Sequence, residues 1–200
     1  MSAFEVPLFP LGTVLFPGGP LPLRIFETRY TDMIGKCMRE GSVFGVVGIR
    51  AGREVGPSEI HDVGTTARIT DFYQGSDGLL GITAIGETRF RILEERIEPD
   101  GLRIGRVESL PVAETEPLPE RFSELAGILD SVLDDLGKLY ADLPRQLEDA
   151  TWVGYRFCEI LPVGVARKQY CLEEATPIER LEFIEAVLSQ ARQQAARDDD

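Results

Sequence analysis

Two hundred residues, 43% of them hydrophobic and 28% charged, suffice for one compact domain or two small ones sharing an interface. A chain this long buries roughly 70% of its unfolded surface and needs neither metal nor disulfide for stability. Its formal charge of −13 repels phosphate backbones and anionic headgroups, which argues against nucleic acid and membranes as partners.

Residues 7–30, PLFPLGTVLFPGGPLPLRIFETRY, interleave short apolar runs with Pro7, Pro10, Pro17, Pro20 and Pro22. Proline fixes φ and removes a donor, so no continuous helix or central strand runs through this stretch. Thr13 to Phe16 and Leu21 to Phe26 carry the bulky and β-branched types that suit a pleated surface. Pro17-Gly18-Gly19-Pro20 forces a tight turn between the two. Glu27 to Glu40 follows as a short helix, with Tyr30, Met33, Ile34 and Cys37 or Met38 on one face and Gly41 beyond its end. Val43 to Ile49 is a buried strand bent at its glycines, and 50–62 a polar loop.

From Val63 to Leu110 the pattern is a meander: Thr65 to Tyr73, a turn at 74–78, Leu79 to Ile85, a turn or bulge at Gly86-Glu87, and Thr88 to Ile97. Pro99-Asp100-Gly101 then turns the chain into Leu102 to Leu110. Six or seven strands of this kind can close into a barrel, which removes exposed edges.

PVAETEPLP at 111–119 marks a change of composition and a linker. Helical spacing takes over beyond it. Phe122, Leu125, Leu129, Val132, Leu136 and Leu139 define one face of a long helix starting near Pro119. A second helix spans Asp149 to Leu161 and buries Trp152, Val153, Phe157, Ile160 and Leu161, with Pro162 as its stop. A third covers Ala166 to Glu173. The last opens on a capping box, Thr176-Pro177-Ile178-Glu179, and frays from about Ala195. Charge follows the same division. Residues 1–110 hold 12 basic and 15 acidic side chains, residues 111–200 hold 9 and 19.

Sites of chemistry are scarce. Cys37, Cys158 and Cys171 are widely spaced with no C-x-x-C pair, which suits buried free thiols in a reducing compartment better than a disulfide framework or zinc site. No G-x-x-x-x-G-K-[ST] loop occurs, and Lys36, Lys138 and Lys168 lack any serine-protease setting. The single histidine, His61, is expected on a surface loop without a nucleophile or second ligand. Glu94-Glu95 and Asp134-Asp135 are neighbours whose side chains diverge, so shared acid–base work is not expected. No basic segment followed by an apolar one opens the chain, and the longest apolar run, Val43 to Ile49, is too short for a bilayer. The reading is a soluble cytoplasmic protein with no cofactor and no metal.

One resemblance is carried by Leu8-Phe9-Pro10-Leu11, Val14-Leu15-Phe16-Pro17-Gly18, Pro22-Leu23 to Phe26-Glu27, Tyr30, and Gly86-Glu87-Thr88-Arg89-Phe90-Arg91-Ile92. In that combination the chain resembles the amino-terminal substrate-binding domain of Lon ATP-dependent proteases, standing alone. The resemblance implies an α+β fold: a PUA-like β-pseudobarrel with one short helix over 1–112, a linker at 113–119 and a helical bundle over 120–196. Residues 197–200 are expected to be a disordered acidic tail. It also implies a non-catalytic module that binds unfolded or hydrophobic polypeptide segments, in partnership with a Lon-type or other ATP-dependent protease. The exposed-groove candidates for peptide contact are Leu15, Phe16, Phe26, Tyr30, Phe72 and Tyr73. The rival readings are a small-molecule sensor using the barrel mouth and an RNA-binding PUA-like domain, the latter opposed by the acidity.

Overall fold

The computed structural model describes residues 3–75, 78–141 and 143–198. The chain gathers into two compact units, one of Met1–Val112 with Gly164–Gln169, the other of Ala113–Val163 with Tyr170–Asp200.

The first unit is built on six strands: β1 (Phe4–Leu11), β2 (Pro20–Ile25), β3 (Phe44–Gly52), β4 (Ser58–Gln74), β5 (Leu80–Ile97) and β6 (Arg103–Ser109), with helix α1 (Thr28–Glu40) between β2 and β3. Their order is β2-β5-β4-β3-β1-β6, and β6 also pairs with β5. The pairings therefore run in a cycle through β5, β4, β3, β1 and β6, with β2 added beside the first half of β5. Length makes this possible. Across its 18 residues β5 serves β2 through Leu80–Ile85, β4 through Leu80–Arg91 and β6 through Phe90–Ile97. Register shifts between Thr65 and Ala67, Ile69 and Asp71, and Ile92 and Glu94 bend the two long strands. β1 and β3 are the parallel pair; the other pairings are antiparallel.

Phe9, Leu11, Ile25, Tyr30, Met33, Ile34 and Phe44 form one core cluster, and Leu8, Val47, Phe90 and Val107 anchor a second. The helix meets expectation closely: Tyr30, Met33, Ile34 and Cys37 are buried, Met38 is exposed, and Gly41 ends it with φ 62°.

Three expectations for this unit are corrected. Thr13 to Phe16 is not a strand. The segment folds inward irregularly, its Leu15 carbonyl accepting the Thr65 hydroxyl at 2.6 Å rather than a ladder bond. The polar stretch 50–62 is largely strand, because β3 continues to Gly52 and β4 starts at Ser58. Polarity misleads there: Ile49 pairs with Ile60, while exposed Arg50 and Glu59 pair as ions at 3.1 Å. His61 accordingly sits in β4 and not on a loop. Gly86-Glu87 bulges within a continuous β5, and the Pro99-Asp100-Gly101 turn forms with Gly101 at φ 86°. Ser76 and Asp77 of the expected 74–78 turn lie outside the described residues.

The second unit holds a 3-10 turn (Glu120–Phe122) and helices α2 (Ser123–Asp135), α3 (Lys138–Ala141), α4 (Ala150–Ile160) and α6 (Pro177–Asp198); α5 (Val165–Glu173) contributes its residues from Tyr170 onward. The long helix expected through Leu139 breaks at Gly137, whose φ is 67°. Leu133 is buried in place of Val132, and Leu136 and Leu139 are exposed. Helix α4 is apolar nearly all round and burying, with Asp149 accepting from the Thr151 N–H at 2.9 Å as its N-cap. The capping box at α6 forms as read: the Thr176 N–H donates to Glu179 Oε2 at 2.8 Å and the Glu179 N–H to Thr176 Oγ1 at 3.2 Å. That helix runs to Asp198, past the expected fraying point, through alanine and glutamine residues that favour helix. Asp199 and Asp200 lie outside the described residues.

Candidate functional site

Strand β2 alternates. Leu21, Leu23 and Ile25 turn toward the first core cluster, and Pro22 and Arg24 turn out. The strand leads directly into Phe26, which is 60% exposed, and Glu27, the N-cap residue of α1. One turn into the helix, Tyr30 stacks on Phe9 of β1 with ring centroids 4.1 Å apart and planes 14° apart. Arg29 lies 4.6 Å over the Tyr30 ring, donates to the Gly101 carbonyl at 2.8 Å and pairs with Glu27 at 2.7 Å. The Tyr30 ring thus contacts both an aromatic face and a guanidinium held by two further partners.

These residues line a groove of about 250 Å3 whose apolar walls are Phe9, Leu11, Leu21, Leu23, Phe26 and Tyr30. Burial pushes the Tyr30 hydroxyl above its ordinary pKa, and Arg24 and Glu27 add charged groups to the lining. Glu54 also borders the groove and accepts from the Gly12 N–H at 2.7 Å.

Of the candidate contact residues, the structure brings Phe26 and Tyr30 together here. Phe72 and Tyr73 are exposed, at 60% and 49%, on the outer half of β4 and do not line this groove. The Tyr73 ring covers Gly81, where an added Cβ would lie 2.4 Å from the ring. Leu15 and Phe16 are buried, Phe16 completely, and have no surface to offer. Phe9, Leu21 and Leu23 are groove residues that sequence reasoning left out. The Leu-Pro-Leu alternation of β2 was the available signal.

A second depression of about 380 Å3 is lined by Val6, Pro7, Met33 and Ile104 and rimmed by Lys36 and Arg96. In the second unit a depression of about 500 Å3 between α2 and α6, lined by Leu125, Ala186 and Leu188 among charged residues, carries the ion pairs Arg121–Glu182 (2.6 Å) and Arg192–Glu124 (2.8 Å). Glu94 and Glu95 pair separately with Arg106 and Arg103 at 2.8 and 2.9 Å, and the Arg106 hydrogen bond lowers the Glu94 pKa. Each carboxylate is spoken for by its own arginine. Among the described residues no three histidine, cysteine or acidic side chains gather to hold a metal ion, and no helix is long and apolar enough to cross a membrane.

The model of the ATP-dependent protease La (LON) substrate-binding domain matches residues 5–190. The chain belongs to the Lon substrate-binding domain family. A Lon N-terminal domain protein from Xanthomonas campestris, known from its crystal structure, is 36% identical with a TM-score of 0.74, over 92% of this chain and 98% of that one. The N-terminal domain of the Mycobacterium avium complex Lon protease shares the fold at a TM-score of 0.63, with 18% identity over 90% and 96% of the two chains. Lon protease of Anaeromyxobacter dehalogenans is 26% identical over 196 residues, which is 94% of this chain but 23% of that protein. The chain therefore spans about a quarter of that curated Lon relative. The Lon substrate-binding domain is itself non-catalytic, and these 200 residues hold no ATPase or peptidase domain.

Proposed function

We propose that this Lon-family domain captures exposed apolar segments of non-native polypeptides without cutting or unfolding them. A Lon-type or other ATP-dependent protease supplies the work that follows. In this reading residues 1–112 act as a PUA-like pseudobarrel, 113–119 as a linker and 120–196 as a helical bundle. The setting is the cytoplasm. The charge of −13 favours polypeptide over nucleic acid or membrane as the partner.

The observation that carries the proposal is Phe26: an aromatic side chain 60% exposed beside a groove walled by Leu21 and Leu23, with Tyr30 braced by Arg29. Burying such a ring contributes about 1.5–3 kcal/mol, and preorganised walls reduce the ordering cost of binding. Fluorescence anisotropy with a labelled unfolded polypeptide is expected to give affinity on the order of micromolar. Phe26→Ser is expected to weaken it about tenfold with the circular dichroism spectrum unchanged. A flat titration into the millimolar range overturns the proposal.

A further inference from the structure

We infer that the groove holds its polypeptide through side chains alone, because the strands beside it are built against main-chain pairing. The inference rests on the polypeptide-capture reading above and specifies its mode.

A strand edge accepts an added strand when it offers both N–H and C=O groups along its length. β2 pairs with β5 on one side, leaving its other edge outward. The Gly86 N–H donates to the Gly19 carbonyl at 2.9 Å, so residue 19 faces β5. Alternation then turns the backbone groups of 21, 23 and 25 toward β5 and those of 20, 22 and 24 outward. Two of those three outward positions are Pro20 and Pro22, which have no N–H to give.

On β1, whose end also lines the groove, Pro10 has no N–H, and the Gly12 N–H that follows is already donated to Glu54 Oε1. The outer half of β4 repeats the device near Phe72 and Tyr73. Pairing between β3 and β4 ends at Ala67, so 68–74 present an edge. There the Phe72 N–H is taken by Asp71 Oδ1 at 2.8 Å, and the register is broken between Ile69 and Asp71. A strand laid along β2 or the end of β1 leaves carbonyl oxygens without donors, and one along 68–74 loses the Phe72 donor. Phe26, which is exposed, and the partly buried Leu21 and Leu23 meanwhile stay available to side chains. The occupant is therefore an extended segment with spaced aromatic or aliphatic side chains, read without regard to its backbone register.

The test compares three fluorescein-labelled peptides on the intact protein. The parent carries Phe and Leu in a Ser/Gly background, a second has alternate backbone amides N-methylated, and a third replaces Phe and Leu by Ser. The N-methylated peptide is expected to bind within about threefold of the parent, and the Ser peptide to lose at least about tenfold. If the parent binds and N-methylation costs tenfold or more, side-chain capture is overturned while polypeptide capture stands. If the parent itself fails to bind, polypeptide capture falls and takes this inference with it.

Discussion

In the β unit, Thr65 and Thr66 are buried, and each bonds across to a neighbouring segment: Thr65 to the Leu15 carbonyl, Thr66 to the Thr88 carbonyl and from the Thr88 N–H. In the helical unit Asp149 and Thr151 are buried as well, and the Thr151 hydroxyl donates to the Glu114 carbonyl, but the largest buried polar groups are long cations. Arg156 is fully buried and pairs with Glu159 at 2.7 Å, and Arg180 donates to the Cys171 and Ala175 carbonyls at 3.1 and 2.6 Å. The contrast follows from secondary structure. Strands satisfy their backbones laterally, so a short hydroxyl closes the gaps where the chain leaves the ladder. Helices leave four carbonyls at each C-terminus, and a buried end needs a donor that reaches in from elsewhere. Arg180 does this for the end of α5, with its guanidinium 4.4 Å over the Tyr155 ring.

This contrast can be broken most forcefully at Arg156. Arg156→Ala leaves the Glu159 carboxylate buried beside a cavity and is expected to cost about 3–5 kcal/mol in urea unfolding. Replacing both partners by Met and Leu is expected to restore most of it. A loss below about 1 kcal/mol for the single change would mean that the pair behaves like a surface ion pair.

The β unit is tested by backbone clearance instead of charge. A Cβ added at Gly86 would lie 2.3 Å from the Phe16 carbonyl oxygen, so the inward segment 13–19 and β5 cannot both keep their places. Gly86→Ala is expected to cost about 1–3 kcal/mol, read as a lower thermal midpoint. An unchanged midpoint would show that segment to be loosely held.

The smallest effect sharpens the helical side. Thr176→Ala removes the hydroxyl that accepts from the Glu179 N–H and is expected to cost about 1 kcal/mol. Hydrogen bonding from Thr176 holds the Glu179 carboxyl below its ordinary pKa. Its contribution is therefore present above the unfolded carboxyl pKa and fades as pH falls through the lower folded value. The difference between wild type and Glu179→Ala should shrink in acid, because the carboxylate accepts from the Thr176 backbone N–H; a gap that stays constant with pH would remove the carboxylate from the cap.

What local chemistry settles was legible in the chain itself. The α1 face of Tyr30, Met33, Ile34 and Cys37, the Gly41 terminus, the Pro99-Asp100-Gly101 turn and the Thr176–Glu179 box each depend on residues within a few positions of one another. The family, too, was readable from the Pro/Gly-punctuated opening. Only the tertiary structure decided the rest, because it depends on partners far along the chain. The Leu15 carbonyl accepts the Thr65 hydroxyl, and Leu15 and Phe16, named as groove candidates, are buried. Phe9 reaches Tyr30 across 21 positions to make the groove floor, and β5 bulges rather than turns at Gly86 because β4 runs alongside it. Burial is a property of neighbours, and apolar spacing along one segment does not reveal which face another segment will cover.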